Sequence, residues 1–325
     1  MYYFEACLNS IFSGGNFMRK NLLLSAVLMA AMILAPLAAL DRNTAVPAQK
    51  EENAVSVLLT KNGEIKNVDG REYLIGTLAA ESEMSYHEEA LKAQAVACWT
   101  YMRYTKNHDG VKGADVSDDS NTCQGYLDEK GRKEKWKDKY DEYEKKAEKV
   151  VDSVLGETII FEGEPILAVY HELNSGTTES AESVWGKDYP YLKAVESPGD
   201  RLSPDYSRTL MFSPSEFMEK AVKIKSVKLT NDTEKWIENT ETSDSGFVKK
   251  LTLGGTEITG TQFRDAFGLG SSNFTVDVSE DKVKIKTVGK GHAVGMSQYG
   301  ADYMARNGSN YEEILEYYYR NIEII

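Results

Sequence analysis

Cysteine is scarce in this chain: there are 3 in 325 residues, at positions 7, 98 and 123. A disulfide scaffold is therefore excluded, and a Cys98–Cys123 bridge is the only one open to the body of the chain. No C-x-x-C pair and no H-E-x-x-H segment occurs, so the ligand sets of the common zinc sites are missing. Basic charge is also short. The 38 Lys+Arg face 51 Asp+Glu, giving a net charge of -13 with no basic stripe to offset it. That excludes the electrostatic footprint of a nucleic-acid binder. An uncharged or mixed-charge polymer such as a glycan stays compatible. Internal repeats are absent, and the one low-complexity tract is the charged run from Lys130 to Glu148.

What is present begins at the N-terminus. Met18-Arg19-Lys20 precedes an apolar run from Leu22 to Leu40. Residues 1–20 read as a cytoplasmic leader, with Met18 as an alternative start. Residues 21–40 read as either a transmembrane anchor or a signal peptide. The length favours the anchor, and Ala38-Ala39 keeps cleavage open. Arg19 and Lys20 fix the orientation, so the remainder is expected outside a cell membrane crossed once. Residues 41–54 are polar and aperiodic, a linker. Residues 55–325 are expected to form one domain.

Within that domain, Ser56 to Asn67 suits a strand pair turning at Asn62-Gly63. A helix is predicted from near Glu72 to Glu81. A second begins at Ser85, where Ser85 and Glu88 spell a capping box, and Leu91, Ala95, Cys98 and Met102 form its core stripe. Beneath the charged run, Tyr140, Tyr143, Ala147, Val150 and Val154 recur at helical spacing, so the charges read as a solvated face. Thr158–Phe161 and Ile166–His171 read as a hairpin. Pro214 opens a further helix. Alternating segments from Val227 to Gly260, Phe274 to Val278 and Lys282 to Thr287 read as strands, with short helices at 261–267, 301–306 and 311–319. Helices, then strands, then helices make the class α+β.

Glu81 is the residue that asks for an explanation. Leu74, Leu78 and Glu81 share one helical face, so this acid ends an apolar stripe. Burial there disfavours the charged form and raises the pKa. A carboxyl kept protonated near neutral pH can serve as a general acid. A structural acid bonded at a helix end accounts for the same pattern, and the spacing alone leaves both open.

Five blocks in order resemble the stage II sporulation protein D family, which shares a domain with amidase-enhancer proteins. They are REYLIGTLAAESEMSYHEEALKAQAVACWTYMRY, DSNTCQGY, the Ala168–Asp200 block, FRDAFGLGSSNF and the Gly289–Tyr319 block. The resemblance covers the chain from about Val55 onward. It implies a lytic transglycosylase that cuts peptidoglycan glycan strands during sporulation engulfment, with no cofactor. It also implies partners: strands whose stem peptides have been removed, a SpoIIP-type amidase that removes them, and a SpoIIM-type membrane scaffold. The family's catalytic glutamate falls in its A-A-E block, which matches Ala79-Ala80-Glu81. Two positions depart from the family: Ala293 stands where a glycine is usual, and Asn174 where a serine is common. Some clostridial relatives bind zinc near the second block with a histidine and two cysteines. Here Ser117 holds one cysteine position, so no tight zinc site is expected and His108 with Cys123 would make only a weak one.

The implied chemistry needs one acid. Protonated Glu81 would protonate the leaving oxygen, and its carboxylate would then take the proton of the muramyl 6-hydroxyl as that oxygen closes a 1,6-anhydro ring. Glu88 is assigned to a cap and Glu89 to solvent, leaving Glu83 as the only second acid. Sugar contacts are expected from two loops. One carries Tyr170, His171, Asn174, Ser175 and Gly176. The other carries His292, Ser297, Gln298 and Tyr299. Each histidine taken alone also suits a structural role, Gln94 suits a core or capping hydrogen bond, and Trp99, Trp185 and Tyr191 suit core packing as well as stacking on sugars. The competing function is a non-enzymatic, glycan-binding amidase enhancer.

Overall fold

The stripe Leu91, Ala95, Cys98 and Met102 does what its spacing predicts: in the computed structural model all four are buried, at 0, 0, 0 and 3% exposure. They line the Glu88–Asn107 helix, the hub of the main core. The helices Gly70–Glu81, Tyr140–Val154, Gln298–Arg306 and Tyr311–Tyr318 pack around it. Truncating a side chain such as Leu91 to alanine would cost about 2–5 kcal/mol. The structure describes residues 54–120 and 122–325. The expectations for residues 1–53 lie outside them. Among the described residues no helix is long and apolar enough to cross a membrane.

The domain is a mixed helix and strand fold. Ala54–Leu59 pairs antiparallel with Glu64–Asp69 and parallel with Val116–Ser117. A second core lies in residues 207–288, where Phe217, Trp236, Phe263 and Phe267 stack together. Two three-stranded antiparallel sheets flank it, one of Ile237–Thr242, Val248–Leu253 and Thr256–Thr259, the other of Ser207–Phe212, Phe274–Val278 and Val283–Val288. This module leaves the main core after Tyr206 and returns at Gly289, and Gly289 N donates to Tyr206 O at 2.9 Å. Its two ends are thus tied together.

Four local expectations are corrected. The second helix starts at Glu88 with His87 as cap, whose Nδ1 accepts from Glu89 N. Ser85 does not cap it, and Glu88 bonds Lys149 instead, at 2.7 Å. Glu89 is not a solvent residue: it pairs with Lys92 and accepts from Tyr311 N, anchoring the start of the Tyr311–Tyr318 helix. The charged run is two helices, Glu129–Trp136 and Tyr140–Val154, and its Arg132 is buried at 1% exposure. Arg132 is held by Glu72 and Glu144, both at 2.8 Å. Finally, the expected hairpin forms between Ile159–Phe161 and Glu164–Pro165, while of the strand expected over 166–171 only Tyr170–His171 remains, pairing parallel with Met296–Ser297. That pairing brings the two histidine loops side by side.

Candidate active site

Asp69 caps the Gly70–Glu81 helix at its start by accepting from Arg71 N and Glu72 N. Glu81 is the helix's last residue and is half-buried. The free carbonyls at this end are met by Lys135, whose Nζ donates to Ala79 O at 2.8 Å and Ala80 O at 3.2 Å. The lysine therefore serves the backbone and forms no ion pair with Glu81. Burial pushes the Glu81 carboxyl above its ordinary range, and the Gly125 N–H, the Tyr170 hydroxyl and the Lys135 charge pull it part of the way back.

Gly125 N donates to Glu81 Oε1. The glycine is required by space: a methyl group there would meet Glu81 Oε1 at 2.9 Å and Ala80 Cβ at 3.0 Å. Around the acid runs a chain of donors in one direction. Gln298 Nε2 donates to Glu81 O at 2.8 Å and to Gln94 Oε1 at 3.1 Å. Gln94 Nε2 donates to Cys98 Sγ and Cys98 Sγ to Tyr170 OH, whose single proton is shared between Gln124 Oε1 and the Glu81 carboxyl. Gln124 Nε2 then donates to Tyr73 OH at 2.7 Å. Each member is neutral. Burial holds the Cys98 thiol up at about 12, so it is a packed, unreactive donor. A network satisfied throughout in this way fixes side-chain positions.

The expected sugar-binding residues divide into three groups. Tyr170 and Gln298 reach the surroundings of Glu81. His171, Asn174 and Ser297 are buried at 4, 1 and 0% exposure and spend their polar atoms inside the protein. His171 Nδ1 faces Val294 O at 3.1 Å and its Nε2 faces Asn174 Nδ2 at 3.2 Å. Asn174 and Ser297 converge on Asp200, which is 0% exposed. It accepts from Asn174 N at 3.1 Å, Asn174 Nδ2 at 3.2 Å, Ser297 Oγ at 2.6 Å and Ser197 Oγ. Ser297 Oγ also caps the Gln298–Arg306 helix. These groups hold the two loops together rather than face a groove. Ser175 donates to Ser245 O at 3.1 Å, tying its loop to the second core. Gly176 N donates to Asn174 Oδ1 at 2.7 Å, and Tyr299 N donates to Glu172 O at 3.2 Å.

His292 forms the third group. It lines a cavity of about 570 Å³ with Trp185, Phe247, Lys249, Arg264 and Ser120. Burial and then the nearby Arg264 charge lower its pKa to about 4. His171, buried against His292, is lowered to about 3. Both are neutral at physiological pH.

Gln124, Gly125 and Asp200 were not picked out from the sequence. Gln124 and Gly125 sit in a loop and Asp200 in the short 3-10 turn Pro198–Leu202, none with periodicity, and only the blocks DSNTCQGY and Ala168–Asp200 draw attention to them. Glu83 is exposed, which leaves Glu81 as the half-buried acid of this helix end whose carboxyl is raised by burial. Asp200 is also raised by burial, but its oxygens are fully used.

His108 and Cys123, the residues left open for a weak zinc site, have other neighbours. His108 stacks on Tyr104 with Nδ1 2.8 Å from Tyr104 O. Cys98 and Cys123 are both free, so no bridge joins them. No group of three metal-ligating side chains converges among the described residues.

Comparison with known proteins bears on the same region. The family model described as stage II sporulation protein matches residues 60–161. The stage II sporulation protein D of Bacillus subtilis (strain 168) is 34% identical over 274 residues, covering 83% of this chain and 78% of that protein. Its counterpart in Bacillus amyloliquefaciens is 34% identical over 285 residues, covering 86% and 81%. The amidase enhancer of Bacillus subtilis (strain 168) is 26% identical over 301 residues, covering 76% of this chain and 39% of that protein.

Proposed function

The chain belongs to the stage II sporulation protein D family, and on that premise we propose that it is a peptidoglycan lytic transglycosylase with Glu81 as its acid and base. The observation that carries this reading is the state of Glu81: half-buried, without an ion pair among the described residues, raised by desolvation, and fixed by Gly125 beside a neutral hydrogen-bond network. In the first step the Glu81 proton passes to the glycosidic oxygen of N-acetylglucosamine as the bond to muramyl C1 breaks. In the second, the muramyl O6 bonds to C1 and its proton passes to the Glu81 carboxylate. No water is consumed, and the enzyme returns to its starting protonation. One acid suffices for this sequence. An ordinary hydrolase would need a second carboxylate about 5–10 Å away.

In this reading Tyr170 and Gln298 hold Glu81 and the sugar in place, and His292 borders the groove. His171, Asn174, Ser175, Gly176, Ser297 and Tyr299 shape the two loops that frame it. The strand delivered to the site is one from which a SpoIIP-type amidase has removed the peptides, and a SpoIIM-type scaffold together with the Leu22–Leu40 segment keeps the domain at the outer face of the membrane.

The test is direct. The full chain in detergent is incubated with peptide-free glycan strands, and the products are read by mass spectrometry. Anhydro-muramyl ends are expected, and Glu81→Gln should lower their formation at least about 100-fold. Reducing ends carrying an added water would replace this reading with hydrolysis. The second reading, a glycan-binding amidase enhancer, draws on the similarity to the Bacillus subtilis protein of that name. It predicts binding with no new ends from either protein.

A further inference from the structure

The 570 Å³ cavity bordered by His292 has a charge lining opposite to that of the chain. Of 51 acidic residues none lines it among the described residues, whereas two cations do, Lys249 and Arg264. Lys249 is exposed and has no ion pair among the described residues. Arg264 is paired only with its neighbour Asp265, at 2.9 Å, whose side chain is 62% exposed. Such a surface pair is weak and readily exchanged for a better anion. The Trp185 ring, 42% exposed, and Phe247, largely buried, also line the cavity. Aromatic faces with hydroxyls from Thr261 and Ser120 suit a sugar, and the two cations suit an anionic group on it. His292, kept neutral by burial, adds no competing charge.

Glu81 does not line the cavity, but one wall of it reaches the Gly125 contact that holds the acid. Its wall residue Ser120 stands by Gly125, where an added methyl group would be 3.8 Å from Ser120 Cβ and 2.9 Å from Glu81 Oε1. The backbone of Tyr170 stands by His292, and the Tyr170 hydroxyl sits beside the same carboxyl. Lys249 and Arg264 come from the second core, and Glu81 from the main core. A polymer crossing both would meet the acid and then the cations.

We propose that Lys249 and Arg264 form a carboxylate-reading subsite, and that the group they read is the free lactyl carboxylate of a muramyl residue next to the one cleaved. The inference rests on reading the Glu81 cleft as a glycan site. An attached stem peptide turns that carboxylate into a neutral amide. The subsite would therefore make the chain itself select stripped strands.

Binding tests this without cleavage. The full chain carrying Glu81→Gln is titrated by calorimetry with three probes: peptide-free strands, the same strands with lactyl carboxylates converted to methylamides, and strands still bearing peptides. Peptide-free strands should bind at least about tenfold tighter than the methylamides. This margin should shrink as salt rises. It should vanish in a protein also carrying Lys249→Gln and Arg264→Gln, and Lys249→Arg should retain it. Thermal melting checks that the variants are folded. Equal binding of the free and methylamide strands overturns the proposal, as does a margin that survives both substitutions. Peptide-bearing strands that bind as tightly as stripped ones, through the same two cations, would assign the carboxylate to the peptide and overturn it too. A preserved margin from a chain that makes no anhydro ends would sink the transglycosylase and leave the subsite standing.

Discussion

Gln298 Nε2 donates to the backbone oxygen of Glu81 at 2.8 Å, joining two helices that lie 217 residues apart in the chain. The same amide nitrogen donates to Gln94 on the central helix. The last helical turn before the acid is therefore held from the far end of the sequence. Gln298→Ala removes both bonds and leaves Gln94 Oε1 short of a donor inside the core. It should lower turnover on glycan about tenfold or more, with a stability loss of about 1–3 kcal/mol. A KM that rises while kcat is unchanged would count against a positioning role.

Glu81→Gln should raise stability while abolishing turnover. The folded pKa of Glu81 is raised, so the folded state prefers the proton and ionisation opposes folding. The penalty is absent below the ordinary glutamate range and complete above the raised value. The gain in melting temperature should therefore be present at pH 8 and lost by pH 4. A variant that melts lower at pH 8 would contradict the desolvated acid.

Gly125→Ala should damage the site while leaving the fold intact. The new methyl group would sit 2.9 Å from Glu81 Oε1 and 3.0 Å from Ala80 Cβ, closer than carbon normally approaches either. Displacing the carboxyl by a few tenths of an ångström should slow glycan cleavage about 10- to 100-fold. Circular dichroism and turnover on one preparation decide it.

Ala293 adopts φ 63°, in the left-handed region where a side chain is strained. This accounts for the glycine usual at that place in the family. Ala293→Gly should gain about 0.5–1 kcal/mol in urea unfolding, after the greater freedom of glycine in the unfolded chain is set against the relieved strain.

The two loop histidines should make the protein acid-sensitive. Their folded pKa values, about 3 for His171 and about 4 for His292, lie below the ordinary 6.5. Between those values the unfolded chain binds protons that the folded chain refuses. Stability is complete above pH 6.5 and falls as the pH drops toward 4. His171→Gln should reduce the slope of unfolding free energy against pH by about 1.4 kcal/mol per unit across that range.

Helix positions were legible because periodicity is local. Leu91, Ala95, Cys98 and Met102 announce a buried face by spacing alone, as do Leu74 and Leu78 ahead of Glu81. Helix starts were less so. The Ser85 capping box is sound in sequence terms, but Lys149 offers Glu88 a charged partner and the helix begins at Glu88 instead. Arg132 looked like one charge among many, and only Glu72 and Glu144, brought in from two other helices, make it a core residue.

By itself the sequence determined the α+β class, the costly acid at the end of an apolar face, and the two histidine-bearing loops. All of these follow from spacing and residue type within a few turns of chain. Tertiary structure alone decided what the acid meets. Gly125, Gln298 and Tyr170 reach it from separate segments, and Asp200 draws Asn174 and Ser297 into the interior. Hydrogen bonds across such separations leave no period in the sequence. Their geometry exists only once the central helix has gathered its neighbours.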